Sequence, residues 1–126
     1  MKKLSVLIID DSSVMSKIVE RSLRQAGLKL DRVMEADNGA DALNMVQGGA
    51  IDLIFSDINM PKMDGIEFLR QVRATEGAKA IPILMITTDG TEPKVLEAIS
   101  LGARGYIRKP FSSDQVRQQV AEVLAT

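Results

Sequence analysis

Three apolar runs punctuate the chain, at residues 4–9, 51–55 and 81–86, and each gives way to polar residues. Uninterrupted apolar runs of this length predict strands buried on both faces, as in the middle of a parallel sheet. Two weaker runs, 31–36 and 105–108, carry charges inside them, which predicts strands at the edges of that sheet. Between the five strands, apolar residues recur at helical spacing. Met15, Ile18, Val19, Ser22, Leu23 and Ala26 share one face, and the segment stops at Gly27. A second helix is predicted over 38–46, ending at Gly48 and Gly49. Gly65, Phe68, Leu69 and Val72 make a third stripe, and Val95, Ala98, Ile99 and Gly102 a fourth, with Pro93 suited to its first turn. Ser112 and Gln115 have the spacing of a capping box ahead of Val116, Val120, Val123 and Leu124, which starts a fifth helix.

Strict alternation of strand and helix predicts an α/β fold, with right-handed crossovers and a parallel sheet covered on both faces. In such sheets ligands sit beyond the carboxyl ends of the strands. The residues found there are Asp10 and Asp11 after the first strand, Asp57 after the third, Thr87 at the end of the fourth, and Lys109 followed by Pro110 after the fifth.

Three carboxylates on one rim repel one another and raise their pKa values unless a cation compensates. Oxygen ligands suit a hard cation, and Mg²⁺ accepts a few carboxylates together with waters and phosphate oxygens. Lys109 adds a point charge on a flexible stem, fit for a phosphate or for Asp57, and Thr87 adds a hydroxyl donor. Taken singly, each residue also has a plain reading. Asp10 and Asp11 ahead of Ser12 and Ser13 fit the start of a helix, Asp57 fits a turn, and Lys109 fits a surface position. Tyr106, the sole tyrosine, fits an edge-strand packer as well as a switch. The segment 60–65 reads as a turn without chemistry of its own, and Met45, Met63 and Met85 as filler.

Composition narrows the chemistry. With 126 residues, 45% of them apolar, the chain suits one domain spanning 1–126. Sixteen Lys and Arg nearly balance 17 Asp and Glu, so no charge excess draws the protein to nucleic acid or to an anionic membrane. The chain has no cysteine, hence no thiolate nucleophile or disulfide. It has no histidine either, so a phosphohistidine in the mechanism must belong to another molecule. The opening apolar run is too short for a signal peptide or a membrane span, and a soluble, cytoplasmic monomer is expected.

Asp10-Asp11, Asp57 with Asn59, Met60 and Pro61 behind it, Asp64-Gly65, Thr87, Tyr106 and Lys109-Pro110-Phe111 together resemble the receiver domains of two-component response regulators, most of all the single-domain chemotaxis type. The resemblance covers essentially the whole chain. It implies a flavodoxin-like, CheY-like fold with strand order 2-1-3-4-5, and a cis Lys109-Pro110 bond. It implies that Asp57 is the phosphoacceptor, forming an acyl phosphate with a phosphoryl group from a partner histidine kinase. Asp11, Asp57 and the Asn59 backbone carbonyl would ligate Mg²⁺, with Asp10 acting through metal-bound water and Mn²⁺ a substitute. Lys109 would contact the phosphoryl oxygens, an arrangement that needs no general base.

The same resemblance implies a switch in which the Thr87 hydroxyl moves toward the phosphoryl group and Tyr106 turns inward. The fourth helix, fifth strand and fifth helix then present a changed face to an effector such as a flagellar motor component. Thr88 stands where many relatives carry a smaller residue, which implies narrower access to Asp57 and slower transfer. Asn59 and Asp89 flank the path of a hydrolytic water, and Asp89 is expected to orient it and shorten the phosphoprotein's life.

Three other functions fit part of the pattern. A small metal-dependent phosphatase would share an aspartyl nucleophile at Asp57-Ile58-Asn59, but a substrate-enclosing insertion is missing, so turnover on a separate substrate is not expected. A flavin protein could use the same fold, yet Asp10 and Asp11 occupy the turn where a flavin phosphate wants donors. A DNA-binding regulator cut at its domain edge would keep the chemistry. A chain that starts at Met and ends directly after the fifth helix favours a complete single-domain protein.

Overall fold

Each long apolar run becomes a strand in the computed structural model, which describes residues 3–48, 50–58, 60, 62–75, 78, 80–87 and 92–124. The order is β1 (Leu4–Ile9), α1 (Ser13–Gln25), β2 (Leu30–Ala36), α2 (Gly39–Gln47), β3 (Leu53–Ser56), α3 (Gly65–Arg73), β4 (Ile83–Thr87), α4 (Glu92–Ser100), β5 (Gly105–Arg108) and α5 (Ser113–Leu124). The strands form one sheet in the order β2-β1-β3-β4-β5, all neighbours parallel. The two runs that carry charge are thus the edge strands. There one side of the backbone meets no neighbouring strand, and charged side chains discourage pairing with another chain.

Side chains of a strand alternate between faces, and the two cores follow that alternation. Leu7, Ile9, Ile54, Ile83 and Met85 pack under α2, α3 and α4 with Phe68, Leu69 and Val72. Val6, Ile8, Leu53, Phe55, Leu84 and Ile86 pack under α1 and α5 with Val19, Leu23, Val116 and Val120. Phe55 and Phe68 are fully buried, and each contributes about 1.5–3 kcal/mol by leaving water.

The helices start where the sequence offers a side-chain acceptor. Ser12, Asn38 and Asp64 accept from the N–H groups of Met15, Asp41 and Glu67 at 3.2, 2.9 and 2.8 Å. The capping box forms as read. Ser112 Oγ accepts from the Gln115 N–H at 3.2 Å, and Gln115 Oε1 accepts from the Ser112 N–H at 2.8 Å. Gly27 stops α1 at φ +89°, a conformation open mainly to glycine. Gly49 lies outside the described residues.

Two residues depart from the expected stripes. Ile18 is 44% exposed, while Ser16, two residues earlier and on nearly the opposite side of the helix, is 1% exposed. Periodicity counts an apolar residue as inward-facing, but the inner face of α1 takes small serines at 16 and 22 and leaves Ile18 at the rim. Among the described side chains of α4 only Ala98 is buried, and Ile99 is 43% exposed. Among the described residues no helix is long and apolar enough to cross a membrane.

Candidate functional site

The parallel sheet delivers its strand ends to one rim. Backbone bonds set them in register there. Asp10 and Asp57 donate N–H to Ala36 and Ile9 carbonyls at 3.0 and 2.9 Å, and Lys109 donates to the Thr87 carbonyl at 2.9 Å. Asp10, Asp57 and Thr87 are buried, at 5%, 9% and 0% exposure. Asp11 is exposed.

Helix capping does not consume the aspartates. Ser12 caps α1, and Asp10 Oδ1 accepts the Ser12 N–H at 2.9 Å. The second Asp10 oxygen faces Lys109, whose Nζ donates to Oδ2 at 2.8 Å and lies 3.6 Å from Asp57 Oδ2. The lysine was expected on a phosphate or on Asp57; it pairs with Asp57 and, more closely, with Asp10. Asp57 Oδ1 is already engaged by the Ile58 N–H at 2.7 Å, which turns that oxygen back toward its own chain.

Burial is the first cause of a raised pKa at Asp57. Repulsion from Asp10 and Asp11 adds to it, and Lys109 and the Ile58 N–H oppose it. The expected repulsion is therefore real but second to desolvation. A buried carboxylate held against its preference for water is a strong candidate for a functional group.

One carboxylate oxygen from each of Asp10, Asp11 and Asp57 lies within 4.8 Å of the others. Opposite ligands of an octahedral Mg²⁺ stand about 4 Å apart, so small side-chain rotations would bring all three onto one ion. The donors are hard oxygens, their charge exceeds that of Lys109, and one of them is exposed to an approaching ion. The residues present fit Mg²⁺.

Several contacts around Asp57 were not read from the sequence. Gly65 donates to the Ile58 carbonyl at 2.7 Å, and a Cβ on it would stand 2.0 Å from the Asp57 carbonyl oxygen. Only glycine admits that approach, and the Asp64-Gly65 pair at a helix start was the available signal. The buried Ser56 hydroxyl donates to the Asp57 carbonyl at 2.9 Å; nothing in the sequence marked it. On the output side, Tyr106 is 41% exposed and Leu96 59%. Tyr106 shares a face of the edge strand with Arg108. The Lys109-Pro110 bond is cis, as the resemblance implies. Asn59, Asp89, Thr88 and Pro61 lie outside the described residues.

Comparison with known proteins agrees with this architecture. Residues 6–121 match the family model described as the response regulator receiver domain. The chain is 38% identical over 122 residues to chemotaxis protein CheY-3 of Vibrio cholerae serotype O1, covering 97% of this chain and 92% of that one. The solved structure of CheY4 from Vibrio cholerae superposes with a TM-score of 0.85 at 36% identity, covering 97% of this chain and 99% of that one. A Borrelia burgdorferi CheX-CheY-BeF₃-Mg²⁺ complex superposes with a TM-score of 0.86 at 30% identity, covering 98% of this chain and 90% of the other.

Proposed function

Because the chain belongs to the response regulator receiver domain family, we propose that it is a phosphorylation switch whose acceptor is Asp57 and whose donor is a histidine kinase. One observation carries this reading: a buried carboxylate with a raised pKa, flanked by two further aspartates and backed by a buried ammonium group. In its ionised form, an Asp57 oxygen attacks the phosphorus of a phosphoimidazole. The O–P bond forms, the N–P bond breaks, and the imidazole nitrogen leaves with the bonding pair. Attack by water later returns inorganic phosphate and the free carboxylate. The phosphoryl group stays on the chain between these events, so the protein acts as a switch rather than an enzyme with a separate substrate.

Lys109 follows the charge. Its ammonium group, 3.6 Å from Asp57 Oδ2, can leave Asp10 for the incoming phosphoryl oxygens, where a charge-assisted bond is stronger than a neutral one. Asp10, Asp11 and Asp57 would hold Mg²⁺, which when bound supplies the charge neutralisation that phosphoryl transfer chiefly needs. In this reading Asp11 and Asp57 would be direct ligands, the Asn59 backbone carbonyl the third protein ligand and Asp10 a partner through metal-bound water, with Mn²⁺ as a substitute ion. Support for the cation comes from the hard donor set and from the Borrelia relative, solved with BeF₃ and Mg²⁺.

Thr87 and Tyr106 would read the modification. Thr87 ends β4, and its carbonyl accepts the Lys109 N–H, which ties the hydroxyl's strand to the lysine. Tyr106 lies on β5 with its side chain partly in solvent. Moving such an element from about 1:99 to about 99:1 takes about 5.5 kcal/mol, within reach of a few charge-assisted hydrogen bonds. The α4, β5 and α5 face would then engage an effector, with chemotaxis or motility control favoured by the relatives' names. The reading makes the protein a cytosolic monomer, with Asp89 tuning the phosphoryl lifetime.

The test is to incubate the protein with MgCl₂ and acetyl phosphate and to weigh it intact. One phosphoryl adduct is expected on the native chain and none on Asp57→Asn. An adduct of equal yield on both would remove Asp57 from the role.

A further inference from the structure

The end of the sheet opposite the rim carries an apolar pocket. It encloses about 410 Å³ between the end of α1, the start of β1, the turn into β2 and the second half of α5. We propose that this pocket binds an amphipathic anion, an alkyl chain ending in a carboxylate.

Small residues open the space. Helix α1 stops at Gly27, whose φ of +89° turns the chain aside, and a Cβ built there would meet nothing within 4 Å. Ala26 and Ala121 are small as well, so three positions on the wall leave room that larger side chains would fill. Ala26 and Val120 are buried at its depth, while Leu4, Leu28 and Leu124 carry the apolar wall out toward solvent. Protein interiors leave few voids, and an apolar hollow with a few polar groups at its mouth is the usual form of a small-molecule site.

Charge decides the head group. Lys29 and Arg117 border the pocket and both are exposed, which places two positive charges at its mouth. Among the described residues no carboxylate borders it. Lys29 makes no ion pair among the described residues. Arg117 meets Asp114 at 2.6 Å in a pair open to solvent, a kind that contributes little. The last carbonyls of α1 do not favour a cation instead, because the Gly27 and Leu28 N–H groups donate to the Arg24 and Leu23 carbonyls at 3.1 and 3.2 Å.

Walls and mouth together set the ligand class. An inorganic anion has no use for the apolar walls, and a neutral hydrocarbon leaves both cations idle. An alkyl carboxylate uses both, with its chain against Val120 and Leu28 and its head between two side chains whose methylenes extend the wall. The pocket lies about 20 Å from the rim, the length of β1, and shares no residue with the Asp57 site. The inference is therefore independent of the phosphorylation reading.

The full chain is titrated with decanoate below its micelle concentration, by calorimetry and by amide shift mapping. Saturable binding is expected to move the Leu4, Leu28 and Val120 amides. Decylammonium, with the same chain and the opposite charge, is expected to bind about tenfold more weakly. Ala121→Leu puts a good helix former at an exposed helical position and is expected to weaken decanoate about tenfold, the loss from two unburied methylenes. Lys29→Gln is expected to weaken it about threefold. No saturable binding of decanoate, equal affinity for decylammonium, shifts confined to the rim, or unchanged affinity in Ala121→Leu would overturn the proposal. So would saturation by acetyl-Leu-Leu-Glu amide with decanoate inert, which assigns the pocket to a protein partner, or a sedimentation coefficient that rises with concentration and drops in Ala121→Leu, which assigns it to a second copy.

Discussion

The rim at the strand ends and the outer side chains of α4 and β5 break the usual rule of burial in opposite directions. At the rim, Asp10, Asp57 and Lys109 are charged and buried. On α4 and β5, Leu96, Ile99 and Tyr106 are apolar or aromatic and exposed. Lone exposed apolar residues are ordinary, whereas buried charges and clustered exposed apolar groups call for a reason. In the proposed function, the rim would hold its charges for a phosphoryl group and a cation, and the exposed apolar groups would await a partner. Chemistry and output would then sit on separate elements.

The contrast can be broken most forcefully at Lys109. Lys109→Met strands Asp10 and Asp57 without their shared ammonium group, and breaking a buried pair this way costs about 3–5 kcal/mol. Urea melts in the absence of metal measure the loss. MgCl₂ should restore part of it, because an ion that binds only the folded state stabilises by mass action.

Asp57→Asn should act with the opposite sign. The folded carboxyl has its pKa raised, mainly by burial, above the ordinary 3.8. Below 3.8 both folded and unfolded chains are protonated, and Asp57 costs nothing. As pH rises past that value the unfolded chain releases its proton first, so stability falls until the folded carboxyl also ionises. Above that point the cost is fully present. In metal-free buffer at neutral pH the Asn variant should therefore melt higher than the native protein, and the difference should vanish in acid. A variant that melts lower at neutral pH would show that Lys109 outweighs desolvation.

The smallest effect belongs to the exposed side chains. Leu96→Ala together with Ile99→Ala should change unfolding free energy by no more than about 0.5 kcal/mol each, as exposed substitutions do. Capture of the effector in the presence of beryllofluoride should nevertheless fall. Loss of stability as large as that of the Lys109 variant would mean that these residues belong to the core.

Much of this was legible along the chain. The strand at 4–9 emerged with the bounds expected, and the capping box at Ser112 and Gln115 formed both of its bonds. Charge inside the runs at 31–36 and 105–108 marked the edge strands, because only an edge tolerates it. Asp10, Asp11, Asp57, Thr87 and Lys109 were legible as a set, since a parallel sheet brings every strand end to one rim. Ile18 and Ile99 were misread, because periodicity reports which residues share a helical face and not how deeply that face is set.

Local pattern thus determined the alternation of elements, the helix starts and the identity of the rim residues, all of which depend on neighbours a few positions apart. Tertiary structure alone decided that Lys109 rests on Asp10, 99 residues away, and that Gly65 lies against the Asp57 carbonyl. These depend on distances between elements that no stretch of sequence contains, and on the balance between desolvation and pairing once charges are brought together.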